Sequence, residues 1–73
     1  MHFPMMIECV YEGGAVLFTY SPKYMRTLLG RPVRVVVHGQ TSAADRHAIK
    51  NSAHQTAHIE YKNPVKECLD GNA

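Results

Sequence analysis

The stretch MIECVYEGGAVLFTY, residues 6–20, decides the fold class because it has the pattern of a β-hairpin. Residues 6–11 are rich in strand-forming side chains, and residues 15–20 resume the same composition. Between them lie Glu12, Gly13 and Gly14, which suit a tight turn because glycine adopts positive φ angles easily. We therefore predict two antiparallel strands near the start of the chain.

The next segment, SPKYMRTLLG (residues 21–30), predicts a short helix. Ser21 can cap its first turn, Pro22 suits the first helical position, and Gly30 can end the helix in a left-handed conformation. The residues expected on its buried face are Tyr24, Leu28 and Met25.

RPVRVVVHG, residues 31–39, predicts a third strand. Val33, Val35 and Val37 would share the core face. Arg34 would then stand on the opposite surface, together with Val36.

The second half of the chain leaves one alternative open. Residues 41–55 suggest a second helix, capped by Thr41 or Ser42 and with Asp45 in its first turn. Its apolar content is poor, so a loop is the alternative. TAHIEYK, residues 56–62, alternates Ala57, Ile59 and Tyr61 with polar residues and predicts a half-buried last strand.

These elements predict a small α+β fold with a mostly antiparallel sheet, an N-terminal β-hairpin and one or two short helices. A chain of 73 residues holds one domain at most. We assign this single domain to residues 1–64 and a flexible C-terminal tail to residues 65–73.

Several function classes find little support in the sequence. No apolar run is long enough to cross a membrane, and the first residues lack a basic leader, so we expect a cytoplasmic protein. For that compartment Cys9 and Cys68 are expected to be reduced. The five histidines show no metal-ligand spacing, and no nucleophile or phosphate-loop motif occurs. We expect no enzyme, no metal, no cofactor and no small-molecule substrate.

Charge is distributed unevenly along the chain. Residues 21–50 hold six cations against Asp45 alone, a net charge of +5, whereas the rest of the chain carries −3. Such a cationic face suits RNA or an acidic protein surface, and the sequence leaves both open. The candidate contact residues are Lys23, Arg26, Arg31, Arg34, Arg46 and Lys50.

The N-terminal segment is the predicted anchor for a protein partner. Pro4 cannot donate a ladder hydrogen bond, which suggests a sheet edge or an exposed arm, and an edge strand can extend a partner's sheet. The candidate partner-binding residues are Phe3, Met5, Ile7, Val10 and Tyr11. The alternative is that Phe3 and Met5 only cover the core.

In the stretch MHFPMMIECVYEGG, residues 1–14, and in whole-chain length, the protein resembles the small transcription regulators of lytic Xanthomonas phages. The resemblance implies binding to bacterial RNA polymerase in the host cytoplasm, through the β′ subunit near the RNA exit channel. It also implies inhibition of initiation and readthrough of intrinsic terminators. Nascent RNA is a further candidate partner, because the arginines of the cationic segment can hold a transcript by its phosphates. A stand-alone nucleic-acid-binding module and a small phage inhibitor of another host protein are the alternatives.

Overall fold

The computed structural model describes residues 5–63, which form a four-stranded sheet with one α-helix and one 3-10 turn. The strands are β1 (Met6–Val10), β2 (Val16–Thr19), β3 (Arg34–His38) and β4 (His58–Tyr61), the 3-10 turn is Pro22–Tyr24, and the helix is α1 (Ala43–Ser52). The predicted α+β class is confirmed. Residues 1–4 and the predicted tail at 65–73 lie outside the described residues.

The strand order in the sheet is β2-β1-β3-β4. β1 pairs antiparallel with β2 and with β3, and the predicted N-terminal hairpin is therefore present. β3 and β4 are parallel, and the connection between them contains α1, as a parallel pair requires a crossover. The sheet is mixed, with antiparallel pairs in the majority.

The position of β1 corrects the prediction of an N-terminal edge strand. β1 has a neighbour on each side, so its backbone cannot accept a partner's strand, and the edges of the sheet are β2 and β4. The apolar residues of β1 explain the central position. Ile7 and Cys9 point to the core and are fully buried, and a strand in the middle of the sheet is covered best.

The helix predicted for residues 21–30 is wrong beyond its first turn. The Ser21 side chain makes no capping hydrogen bond, and only Pro22–Tyr24 is helical, as a 3-10 turn. In a continued α-helix the Leu29 N–H would donate to the Met25 carbonyl. Here the Tyr11 hydroxyl donates to the Met25 carbonyl, and the Leu29 N–H donates to Thr27 Oγ1 at 3.0 Å.

The predicted buried face of this segment is corrected with it. Met25 is fully buried, but Tyr24 and Leu28 are exposed. Leu28 lies beyond Met25, where the chain has left the helical path. Gly30 does have a left-handed backbone, with φ of 92°, as predicted. It closes a tight turn in which Thr27 and Gly30 exchange two backbone hydrogen bonds of 3.0 and 2.8 Å.

Residues 43–52 form an α-helix. The second predicted helix is therefore present, and the alternative of a loop is wrong. Ser42 is its N-cap, and its Oγ accepts a hydrogen bond of 3.1 Å from the Asp45 N–H. Asp45 also lies in the first turn, where a negative charge stabilises the helix dipole. Ile49 is fully buried and fixes α1 on the sheet.

One face of the sheet carries the core, and α1 and Met25 pack on it. The buried cluster consists of Ile7, Cys9, Tyr11, Met25, Val35, Val37, Ile49 and Ala53. Val35 and Val37 are core residues as predicted, whereas Val33 is half-buried. Arg34 is exposed on the open face, opposite the core, also as predicted.

Candidate functional site: an apolar edge and a cationic groove

Some of the predicted partner-binding residues are not accessible to a partner in the folded domain. Ile7 and Tyr11 are core residues, and their side chains cannot contact a partner while the domain is folded. Met5 is partly buried against the core. Val10 is half-buried on the open face, and Phe3 lies outside the described residues.

An apolar surface is found instead on the neighbouring strand. Val16 and Leu17 are 45% and 44% exposed, and Phe18 is 57% exposed. Tyr20, just after β2, is 69% exposed. We call these four residues the apolar edge, because β2 is an outer strand of the sheet and Val16–Thr19 contains no charged residue.

The backbone of the apolar edge is oriented for strand pairing. The Tyr11 N–H donates to the Ala15 carbonyl at 2.8 Å, and hydrogen-bonded and non-hydrogen-bonded pairs alternate along an antiparallel ladder. Val16 lies opposite Val10, and Phe18 lies opposite Glu8. Both are therefore non-hydrogen-bonded pairs. The N–H and C=O groups of Val16 and Phe18 consequently point away from β1, toward the free side of the sheet.

The loop after β2 adds further exposed apolar side chains, namely Tyr24, Leu28 and Leu29. The buried Tyr11 holds this loop, since its hydroxyl donates to the Met25 carbonyl. Burial raises the pKa of Tyr11, and the neighbouring Cys9 raises it further, so the phenol stays protonated as a donor. Burial also raises the pKa of the free thiol of Cys9.

The six predicted cationic contact residues do not form one patch. Arg31, Arg46 and Lys50 line a continuous groove between α1 and β4. Lys23 and Arg26 lie on the loop after β2, and Arg34 lies on the open face of the sheet. The uneven charge of the sequence is thus divided among three places.

We call the groove between α1 and β4 the cationic groove. It has two lobes with volumes of about 380 and 420 Å³, and the lobes share Lys50 and Ile59. Among residues 5–63, which the structure describes, no acidic residue lines either lobe. The remaining lining residues are Ala43, His47, Asn51, Ala53, His54, Gln55, Ala57 and Tyr61.

Two of the groove's cations are held in place by neighbours. The Arg46 guanidinium lies over the Tyr61 ring, 4.4 Å from its centroid, in a cation–π contact. Arg31 Nη1 donates to the Asn51 carbonyl at 3.2 Å, in the last turn of α1, where a positive charge is favourable. Each guanidinium has five N–H donors, so most remain available to a ligand.

His54 contributes a defined donor to the same groove. Its Nδ1 accepts a hydrogen bond from the Thr56 N–H at 3.2 Å and lies 2.9 Å from Thr56 Oγ1. The neutral ring must therefore carry its proton on Nε2. The histidines show no metal-ligand spacing in the sequence, and no role was predicted for His54.

Arg34 has acidic neighbours on the open face. Its partner on β4 is His58, and Glu60 lies two residues further along the same strand, on the same face. The pKa of Glu60 is lowered mainly by the hydrogen bond and charge of Lys62 at 3.1 Å and, to a smaller extent, by Arg34. The Glu8 carboxylate and His38 Nε2 also meet on this face at 3.1 Å. The open face is consequently of mixed charge, unlike the groove.

Sequence reasoning missed the apolar edge. It did predict that Ala57, Ile59 and Tyr61 share the half-buried face of the last strand, but it did not connect that face with the cations. A signal for the apolar edge was present: Val16, Leu17 and Phe18 form an unbroken apolar run, typical of a strand buried on both faces. A chain of this length cannot cover such a strand twice. For the contact of Tyr61 with Arg46 no signal was available, because this contact depends on the crossover between β3 and β4.

Within residues 5–63, no group of three or more His, Cys, Asp or Glu residues is placed to hold a metal ion. The part of the chain that the structure describes also contains no helix long and apolar enough to span a membrane. No family model, curated protein or solved structure matches the chain.

Proposed function

We propose that the protein is a phage-encoded regulator that binds bacterial RNA polymerase in the host cytoplasm. It would bind the β′ subunit near the RNA exit channel, inhibit transcription initiation and promote readthrough of intrinsic terminators. The observation that carries the binding role is the apolar edge, Val16, Leu17, Phe18 and Tyr20. The identity of the partner rests on the sequence resemblance.

The apolar edge supports a protein-binding role for two reasons. Native proteins usually protect an edge strand with charges, proline or a bulge, and Val16–Thr19 has no charge or proline. Large exposed apolar side chains along a free strand are also the feature that strand addition uses, with backbone bonds for affinity and side-chain pockets for specificity. Phe18, more than half exposed, is the natural central anchor.

The strand order supports the use of two separate surfaces, the apolar edge for the polymerase and the cationic groove for a second contact, as such a regulator needs. β2 and β4 lie at opposite edges, separated by three inter-strand spacings, or about 14 Å. A domain bound to a protein through the apolar edge therefore keeps its cationic groove free. Inhibition of initiation then needs only that the domain bind one polymerase state better than another.

The proposal is tested with purified polymerase and immobilised protein. Phe18→Ser removes the central anchor, and Val16→Pro removes an outward N–H without removing a bond to β1. Both should reduce retained polymerase, by roughly tenfold or more in affinity for a central anchor. Leu28→Ser is the matched control, because Leu28 is fully exposed and apolar but lies outside the strand.

Wild-type protein that retains no polymerase would contradict the proposed partner. Retention only through nucleic acid, lost after nuclease treatment, would favour the stand-alone nucleic-acid-binding module. Equal retention by wild type, Phe18→Ser and Val16→Pro would remove the apolar edge from the contact. Amide spectra of each variant show whether the fold is kept.

A further inference from the structure

We propose that the cationic groove between α1 and β4 binds a single RNA strand, with phosphates along Arg31, Lys50 and Arg46 and a base on the stacked Arg46–Tyr61 pair beside Ile59. The inference rests on the proposed function for the origin of the strand, the transcript that leaves the polymerase. The binding itself needs no polymerase and is tested without it.

The charge of the groove is the first argument. Three permanent cations and two histidines line it, and no acidic residue of the described part of the chain lines either lobe. Glu60, although it lies between Ile59 and Tyr61 in sequence, belongs to the opposite face of β4, because successive side chains in a strand alternate. The Glu60 carboxylate therefore stays outside the groove.

The arrangement of the cations follows a line. Arg46 and Lys50 are four residues apart, so they lie on the same side of α1, one turn from each other. Arg31 lies at the C-terminal end of the same helix, where it bonds the Asn51 carbonyl. The three cations thus follow one another along about 8 Å of the helix axis, from Arg46 to the Asn51 carbonyl that Arg31 bonds, as a polyanionic backbone requires.

The floor of the groove favours RNA over an acidic peptide. Ala57, Ile59 and Tyr61 are partly buried and give it an apolar surface, which carboxylate side chains would not use. Bases stack on aromatic rings and on arginine guanidinium planes. The Arg46 guanidinium covers the Tyr61 ring at 4.4 Å, so a base stacks on the other face of the guanidinium, with the ring behind it. His54 Nε2–H adds a donor at the groove, suited to a base edge or a 2′-hydroxyl.

The test measures binding of a short fluorescein-labelled single-stranded RNA by fluorescence anisotropy at several salt concentrations. Arg46→Gln/Lys50→Gln is the groove variant, and Lys23→Gln/Arg26→Gln is its control, because it removes the same charge outside the groove. The groove variant should lose two phosphate contacts and lower the slope of log affinity against log salt by about 1.4. The control should keep nearly the wild-type slope.

Tyr61→Leu tests the base contact, since it keeps an apolar side chain but removes the ring. It should weaken RNA binding about tenfold, in the range of one lost base–aromatic stack, while the salt slope stays nearly unchanged. Lys50→Gln alone serves as the fold-safe variant, because Lys50 is exposed. It should lower the salt slope by about 0.7.

Four results would overturn the inference: no binding of the RNA by wild type, equal losses in the groove and control variants, equal affinity for duplex RNA, or stronger competition by polyglutamate than by unlabelled RNA. The last would identify an acidic protein surface as the occupant. Polymerase retention is measured in parallel. Retained polymerase without RNA binding refutes this inference alone, whereas RNA binding without retained polymerase refutes the proposed function.

Discussion

Replacement of Tyr11 by phenylalanine should destabilise the domain by about 1–3 kcal/mol. Tyr11 is buried, and its hydroxyl donates to the backbone carbonyl of Met25, which is fully buried as well. Phenylalanine keeps the ring and its packing but leaves the carbonyl without this donor, so the cost is that of a buried, unsatisfied acceptor. A domain of this size has a stability of about 4–10 kcal/mol, so the loss is substantial.

Urea denaturation, followed by circular dichroism, measures this change. The midpoint should fall while the slope m stays constant, because the surface exposed on unfolding is unchanged. Amide hydrogen exchange gives a local check. The amides of Thr27 and Gly30, each hydrogen-bonded to the other residue's carbonyl in the tight turn, should lose protection from exchange before the amides of the strands do. An unchanged urea midpoint would refute the reasoning that this hydrogen bond anchors the loop.

The remaining predictions concern pH, the helix cap and the buried thiol. Burial raises the pKa of Cys9 and of Tyr11 above their ordinary values of 9.0 and 10.0. Both groups release protons more readily in the unfolded chain. The stabilisation from Cys9 is therefore complete below about pH 9 and that from Tyr11 below about pH 10, and each falls as pH rises further, by at most about 1.4 kcal/mol per pH unit, until the raised pKa of the folded state is reached. Urea titrations from neutral to alkaline pH give the stability as a function of pH. A stability that does not change with pH, or a pH dependence that is the same in Tyr11→Phe, would contradict this prediction. Ser42→Ala should cost about 1 kcal/mol through loss of the cap to Asp45, measured by thermal melting, whereas an equal melting temperature would argue against the cap. The Cys9→Ala variant should fold and keep the proposed polymerase binding, while its free energy of unfolding falls by about 1 kcal/mol. A variant of full stability that no longer binds polymerase would give the thiol a functional role.

Most secondary structure follows from local signals in the sequence. The turn residues Gly13 and Gly14, both with positive φ, define the hairpin, and the valine alternation defines β3. Ser42 marks the start of α1 although the apolar face of that helix is short. Each of these features depends on residues close to one another in the chain.

The features that long-range contacts decide were not predictable in this way. The helix after Pro22 ends early because the Met25 carbonyl accepts a hydrogen bond from the Tyr11 hydroxyl. Tyr11 lies fourteen residues before Met25 in the chain. Sequence also does not state that β1 lies in the centre and β2 at the edge, and this order exposes Phe18 while it buries Ile7. The pairing of Arg46 with Tyr61 depends on the same topology.

Transcription in vitro across a promoter and an intrinsic terminator tests the central claim most directly. The account predicts that saturating wild-type protein lowers initiation and raises readthrough, and that Phe18→Ser loses both effects. Arg46→Gln/Lys50→Gln should still bind polymerase and inhibit initiation but should lose readthrough, because the groove no longer holds the transcript. Unchanged initiation and unchanged readthrough with the wild-type protein would contradict the account.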